Sequence, residues 1–280
     1  MALIQTEVFA QMAQEKYLGK VVVRNLATDL GVLEGQVGQK VAFPKFKTIS
    51  DVTDMTKFNG STDKLVSEQL AQEDSEATIV QKGKSIFIRD YDSETALGNF
   101  IQNASDQVGT VIARAVDTDL LTECAGTSLK TATAAAKVIT ATEINSGLQN
   151  FGDDCNTQDM AGIVVNSLLL GSFFAMPEFV DITKTYNAGQ TNGIVRNQLV
   201  GYFRGIPVFT TDKGTYNSTT SECNSYIIKK NALAYMEKRG LQTEQQRDAN
   251  MGGTYVVANL IYAVKRLDDS GIVVLKKTIV

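Results

Sequence analysis

Several short stretches of this 280-residue chain place chemically capable side chains at suggestive spacings. Gly83-Lys84-Ser85 matches the end of a phosphate-binding loop, where a glycine-rich turn and a lysine cradle a nucleotide's phosphates. That motif needs a glycine at position 78, where Thr78 stands, and a helix afterwards, whereas Ile86-Phe87-Ile88 reads as strand. A lysine-flanked strand is the better account. Ser61-Thr62-Asp63-Lys64 fits the S-x-x-K nucleophile pattern, but no K-T-G follows and the segment reads as a polar turn. Asp90 with Asp92, and Asp117 with Asp119, are pairs that bind a cation in other settings. Neither has the glycine of a calcium loop, so helix-flanking charge is the preferred reading. The chain contains no histidine, which excludes Ser-His-Asp and Cys-His catalysis and H-E-x-x-H metal sites together. Cys124, Cys155 and Cys223 are odd in number, far apart and in no C-x-x-C pattern, as expected of free thiols in a reducing cytosol. We therefore assign no catalytic, cofactor-binding or metal-ligating residue, and no cofactor.

Composition supports a large folded body. Hydrophobic residues make up 43% of the chain, enough for one large domain or two lobes. The net charge is -4, and the basic residues fall in scattered doublets such as Lys229-Lys230, Lys265-Arg266 and Lys276-Lys277, with no basic stripe for reading DNA. No run of about 18 apolar residues suits a membrane span, and Met1 to Glu7 has no secretory character. Tyr255, Tyr262, Phe173 and Phe174 are expected in the core, not as platforms for bases.

The elements follow from periodicity. Residues 4–18 form a weakly amphipathic helix through Ile4, Val8 and Met12, and the glycine-punctuated stretch through Gly31, Gly35 and Gly38 reads as irregular. This N-terminal part has little core of its own and is expected to lie across another surface. Residues 40–46 suit an edge strand ending at Pro44, and 78–90 a long strand with Ile86 and Ile88 on one face and Phe87 on the other. The polar excursion between them makes 40–90 a projecting hairpin arm. Ser93 is a candidate N-cap for a helix to about Ile101, and Asn103 opens a second, long helix over 104–125. Its expected apolar face holds Ala104, Val108, Val111, Ile112, Ala115 and Leu120, with Arg114, Asp117 and Asp119 on other faces. Further on, the pattern gives a strand at 137–140 and a helix capped by Thr140 and Glu143. A buried strand at 161–165 and a helix capped by Asn166 come next. A hairpin over 201–210 turns near Arg204-Gly205, between polar loops at 185–193 and 211–222. Strands at 241–248, 253–266 and 272–278 close the chain. In the middle one Val256, Ala258, Leu260, Tyr262 and Val264 share a face.

Four stretches carry a family resemblance. They are Gly35 to Pro44, glycines leading into an edge strand; Ala77 to Asp119, a returning strand running into the long helix; Val195 to Asp212, with the spacing Leu199-x-Gly201-x-x-x-Gly205-x-Pro207-Val208; and Glu244 to Val274, with Arg247-Asp248 at the end of a strand. Their order resembles the major capsid proteins of tailed bacteriophages, which share their fold with encapsulins. The resemblance covers nearly the whole chain, and no single motif carries it. It implies an α+β fold with an N-terminal arm at 1–39 and an extended hairpin loop at 40–92. The spine helix of a peripheral domain would then occupy 93–127, an axial domain 128–236, and closing peripheral strands 237–280. It further implies self-assembly through pentamers and hexamers into an icosahedral shell enclosing phage DNA, in a virion assembled in the bacterial cytoplasm. The implied partners are other copies of the chain, a separate scaffolding protein or none (since the chain begins close to its arm), a portal, and packaged double-stranded DNA touched without sequence specificity.

The physical reading agrees with shell building. Arms that cannot bury their apolar residues on one compact body are expected to bury them on neighbours, in interfaces of roughly 2,000 Å² or more. Lys57, Lys64, Glu68, Glu73 and Asp74 in the loop are the candidate inter-subunit contacts. Two other readings are an encapsulin-like compartment shell and a soluble α/β enzyme using carboxylate or lysine chemistry.

Overall fold

A computed structural model describes residues 6–33, 38–46, 54–55, 65, 67–70, 72–95, 100–131, 137–152, 155–180 and 198–278. The chain opens with helix α1 (Thr6–Lys20) and strand β1 (Thr28–Val32), followed by β2 (Lys40–Phe46), β3 (Gln72–Thr78) and β4 (Val80–Arg89). Helices α2 (Asp90–Thr95) and α3 (Phe100–Ala125) follow, then α4 (Ala141–Gln149), β5 (Met160–Val165), α5 (Ser167–Phe174) and α6 (Pro177–Val180). The rest is β6 (Leu199–Phe203), β7 (Ile206–Thr210), a two-residue β8 (Tyr216–Asn217), β9 (Glu222–Lys229), β10 (Leu233–Asp248), β11 (Gly253–Arg266) and β12 (Ile272–Thr278).

Three sheets organise these elements. One runs β1-β10-β11-β4, the second β12-β9-β5-β7-β6 with β8 on β9, and the third is the hairpin β2-β3. The second sheet is covered on both faces. Val164, Tyr226, Ile228, Ile272 and Val274 point to one core, and Ile163, Val165, Ile227, Val273 and Leu275 to another. Burial on both faces explains its nearly unbroken apolar runs, because no position along such a strand needs to be polar.

Helix α3 is the common support. Val108, Ile112, Ala113, Val116, Leu120, Leu121 and Cys124 are all buried in the core shared by the first sheet (Tyr235, Ala258, Leu260, Tyr262) and the second. Its 26 residues extend about 39 Å at ~1.5 Å per residue. Val111, expected on the apolar face, is 46% exposed, and Asp117, expected outside, is buried. Ala104, Val108, Ile112 and Leu120 are buried as expected, and the buried stripe is wider than expected, taking in Ala113, Val116 and Leu121 as well.

The structure corrects several sequence expectations. Part of the N-terminal segment packs on the chain's own body, where Ala13, Tyr17, Val21, Val22 and Val23 are buried, while Leu18, Leu30 and Val32 stay exposed. The glycine-rich stretch after it contains β1, which pairs in parallel with β10. Most of β1 is exposed, so it lacked the apolar alternation that marks a strand. The long strand expected at 78–90 forms as β4, but it pairs with β11; the strand that returns to β2 is β3, inside the stretch expected to be a polar excursion. Ser93 lies inside α2, and α3 begins three residues before Asn103. No strand forms at 137–140. The last strand, β12, joins the second sheet beside β9, so the three closing strands do not form one unit. The polar loop 185–193 lies outside the described residues.

Other expectations hold. Thr140 and Glu143 make a reciprocal capping box on α4, and the Asn166 side chain accepts from Leu168 N at the start of α5. Arg204 and Gly205 take φ of 50° and 83° between β6 and β7, a turn whose left-handed residues match strand twist. The inward face of β11 is the one expected, with Val256, Ala258, Leu260 and Tyr262 buried.

Gly109 sets how closely α1 lies on α3. A Cβ there would stand 2.6 Å from the Ala13 carbonyl oxygen and 3.0 Å from Tyr17 N. Gly109→Val should therefore push α1 off the spine and cost about 1–3 kcal/mol in denaturant unfolding. Gly171→Ala, on α5 with open space around it, should be neutral or slightly stabilising. Equal effects of the two would contradict this account of the packing.

Candidate assembly surfaces

The stretches that suggested chemistry serve the fold. Gly83, Lys84 and Ser85 lie in β4 opposite Asn259, Ala258 and Val257, so no loop exists there to hold a phosphate. Ser61 and Lys64 lie outside the described residues. Asp90 pairs with Arg247 at 2.8 Å, tying α2 to the end of β10. Among the described residues no group of three or more His, Cys, Asp or Glu is placed to hold a metal, and no helix is long and apolar enough to cross a membrane.

Asp117 and Asp119 divide the work of fixing the spine. Asp117 is 3% exposed. Its Oδ2 accepts from Val22 N at 2.9 Å, and its Oδ1 accepts from Val23 N and Arg24 N, both at 3.1 Å. One carboxylate thus satisfies three backbone donors at the turn that follows α1. Arg24 completes the anchor: its guanidinium lies 4.3 Å from the Tyr235 ring centroid and 5.5 Å from that of Tyr17, and it pairs with Glu237 at 3.4 Å. Asp119, two residues on and so on another face of the helix, accepts from Tyr262 Oη and Lys82 Nζ, each at 2.6 Å, and so ties α3 to β11 and β4. Burial pushes the Asp117 carboxyl up to about 6, against the pull of the three N–H groups and Arg24. The sequence gives no sign of this role beyond an aspartate at helical spacing from apolar neighbours.

The hairpin is anchored at its root and presented beyond it. Val41, Phe43 and Ala77 are buried against Ala234 and Ala263 of the first sheet, so the base of the arm packs on its own body. Lys40 and Glu76 form an exposed pair at 2.5 Å across the two strands. Each partner favours the other's charged form, raising Lys40 and lowering Glu76. Further out, Met55, Leu65 and Leu70 are all more than half exposed. Of the candidate contact residues, Glu68 is exposed, and Glu73 and Asp74 lie in β3 opposite Lys45 and Pro44. Lys57 and Lys64 lie outside the described residues. The structure brings Glu73 and Asp74 together on one strand; it also reveals the exposed apolar residues around Glu68, which a charge-based search passed over.

The whole arrangement is that of capsid subunits. The chain is similar to a capsid protein of the cyanophage P-SCSP1u, with 16% identity and a TM-score of 0.65 over 92% of this chain and 88% of that one. It is similar also to a chain of Mycobacterium phage Che8 (16% identity, TM-score 0.61, 98% and 94% covered). A third likeness is to the virus-like particle from Pyrococcus furiosus (10% identity, TM-score 0.62, 96% and 98% covered). No curated protein matches the chain in sequence. Residues 72–275 match the model of the phage capsid protein family, and the chain belongs to that family. It is a structural subunit of a virion capsid that works with copies of itself, and it is not an enzyme.

The Asp117 anchor has a pH signature. Its folded-state pKa lies above its ordinary value, so its contribution is fully present below about pH 4 and is lost as the pH rises through about 6. Between those limits the wild type should lose up to about 3 kcal/mol relative to Asp117→Asn, read from unfolding midpoints at each pH. A constant difference across the range would contradict it.

Proposed function

We propose that this chain closes an icosahedral shell around phage DNA through pentamers and hexamers, with the 40–78 hairpin lying on a neighbouring copy. The observation that carries this reading is the contrast along the hairpin. Val41, Phe43 and Ala77 are buried in the chain's own body, while Met55, Leu65 and Leu70 are left to water. Apolar side chains grouped on a projecting segment favour burial against a partner, at about 25 cal/mol per Å² removed from water. A ring of identical subunits supplies that partner by head-to-tail contact.

In this reading α1, β1, β4, α3, β10 and β11 make the peripheral domain. The second sheet with α4, α5 and α6 makes the axial domain, to which β12 returns. Supporting this division are two separate cores on either side of the second sheet, one of them shared with α3. Assembly would take place in the host cytoplasm with a scaffolding protein and a portal. Packaged double-stranded DNA would meet scattered lysines and arginines without sequence reading, in keeping with a net charge of -4 and the absence of a basic stripe.

Electron microscopy of the purified chain is the direct test: shells, tubes or rings support the reading, and a persistent monomer removes it. Reversing charge on the arm is the finer test. Glu73→Lys with Asp74→Lys should leave the unfolding midpoint of the subunit within about 0.5 kcal/mol of wild type while lowering the yield of closed particles several-fold. Normal particle yield would show that these two acids set no contact.

A further inference from the structure

Three cations from separate elements converge on one hollow. Lys20 ends α1, Arg114 lies midway along α3, and Lys213 follows β7, and all three line a cleft of about 460 Å³. Each is exposed, and none has an ion-pair partner among the described residues. The two carboxylates in the same wall are already engaged. Asp117 holds the backbone at Val22, Val23 and Arg24, and Asp212 accepts from Ser167 N at 3.0 Å. The Thr210 hydroxyl also lines the cleft; its oxygen is buried and lacks a hydrogen-bond partner among the described residues.

The three cations outnumber the two carboxylates, which keep their charge but are turned toward backbone donors, so the balance around the hollow favours an anion between the cations. The donors have different shapes: a planar guanidinium fork and two ammonium groups. A tetrahedral phosphate presents acceptor oxygens in several directions and satisfies such a set together, where a planar carboxylate has only two oxygens to offer. We propose that this cleft binds a phosphate group, carried either by the backbone of DNA or by a free phosphate compound. The site does not depend on shell closure, since every lining residue belongs to one copy.

The test is a calorimetric titration of the full chain, in whatever assembly it forms, with inorganic phosphate and separately with a short DNA duplex at fixed ionic strength. Arg114→Gln combined with Lys213→Gln should weaken phosphate binding by about tenfold or more. Lys84→Gln, an exposed lysine on β4 away from the cleft, should leave it unchanged. If duplex affinity falls with phosphate affinity, and the salt dependence becomes shallower, DNA supplies the phosphate. If phosphate affinity alone falls, a free phosphate compound does. Equal phosphate binding by the wild type and the double variant overturns the site, whether or not particles form.

Discussion

Burial of one helix between two sheets is the constraint on which the rest of this subunit depends. Val108, Ile112, Ala113, Val116, Leu120, Leu121 and Cys124 of α3 lie in a core to which both larger sheets contribute. Neither sheet closes that core alone. The first supplies Tyr235, Leu260 and Tyr262, and the second supplies Val164, Tyr226 and Val274. Removing side-chain volume from this stripe would loosen both at once, because close-packed interiors transmit rather than absorb a change of volume. A subunit that must keep its shape while its edges bear on several neighbours needs a rigid axis of this kind.

Polar groups fix the register of that axis. A helix packed only through apolar contacts slides and rotates at small cost, whereas a buried carboxylate holding three backbone N–H groups has a single acceptable position. Asp117 sets the N-terminal segment against α3, and Asp119 sets α3 against β4 and β11 through Lys82 and Tyr262. Two aspartates two residues apart therefore act in different directions, one inward and one sideways. Their chemistry is positional. In a chain without histidine, and with Gly83-Lys84-Ser85 held in a strand, the ionisable groups serve the scaffold.

Much of this was legible in the residues. The helix over α3, the capping box at Thr140, the cap at Asn166, the β6-β7 turn and the full span of β11 each have a local signal strong enough to survive folding. What was hidden is explained by tertiary context. β9 opens with Glu222-Cys223-Asn224-Ser225, a polar lead that reads as loop; it is a strand because β5 and β12 flank it. β1 is an edge strand exposed at four of its five positions, so burial marks neither of its faces. The placement of β12 depends on a partner nearly fifty residues earlier, which no local pattern records. Asp117 escaped for a related reason: an aspartate beside an apolar stripe is ordinarily solvated, and only the arrival of residues 22–24 makes its burial tolerable.

On the proposed reading, the hairpin divides its burial between its own body and a neighbouring copy. If Val41, Phe43 and Ala77 were exposed, the arm would have no fixed direction, and ordering it at an interface would cost about 1–2 kcal/mol of backbone entropy per residue. With the root packed against Ala234 and Ala263, the departure angle is set before any neighbour arrives. Only the outer part, with Met55, Leu65 and Leu70, still has apolar surface to bury. The same logic applies to the N-terminal helix, which the Asp117 anchor and the close approach at Gly109 hold on the spine. Preorganisation of this kind lowers the ordering cost of each contact, so that many individually modest contacts sum to hold a shell.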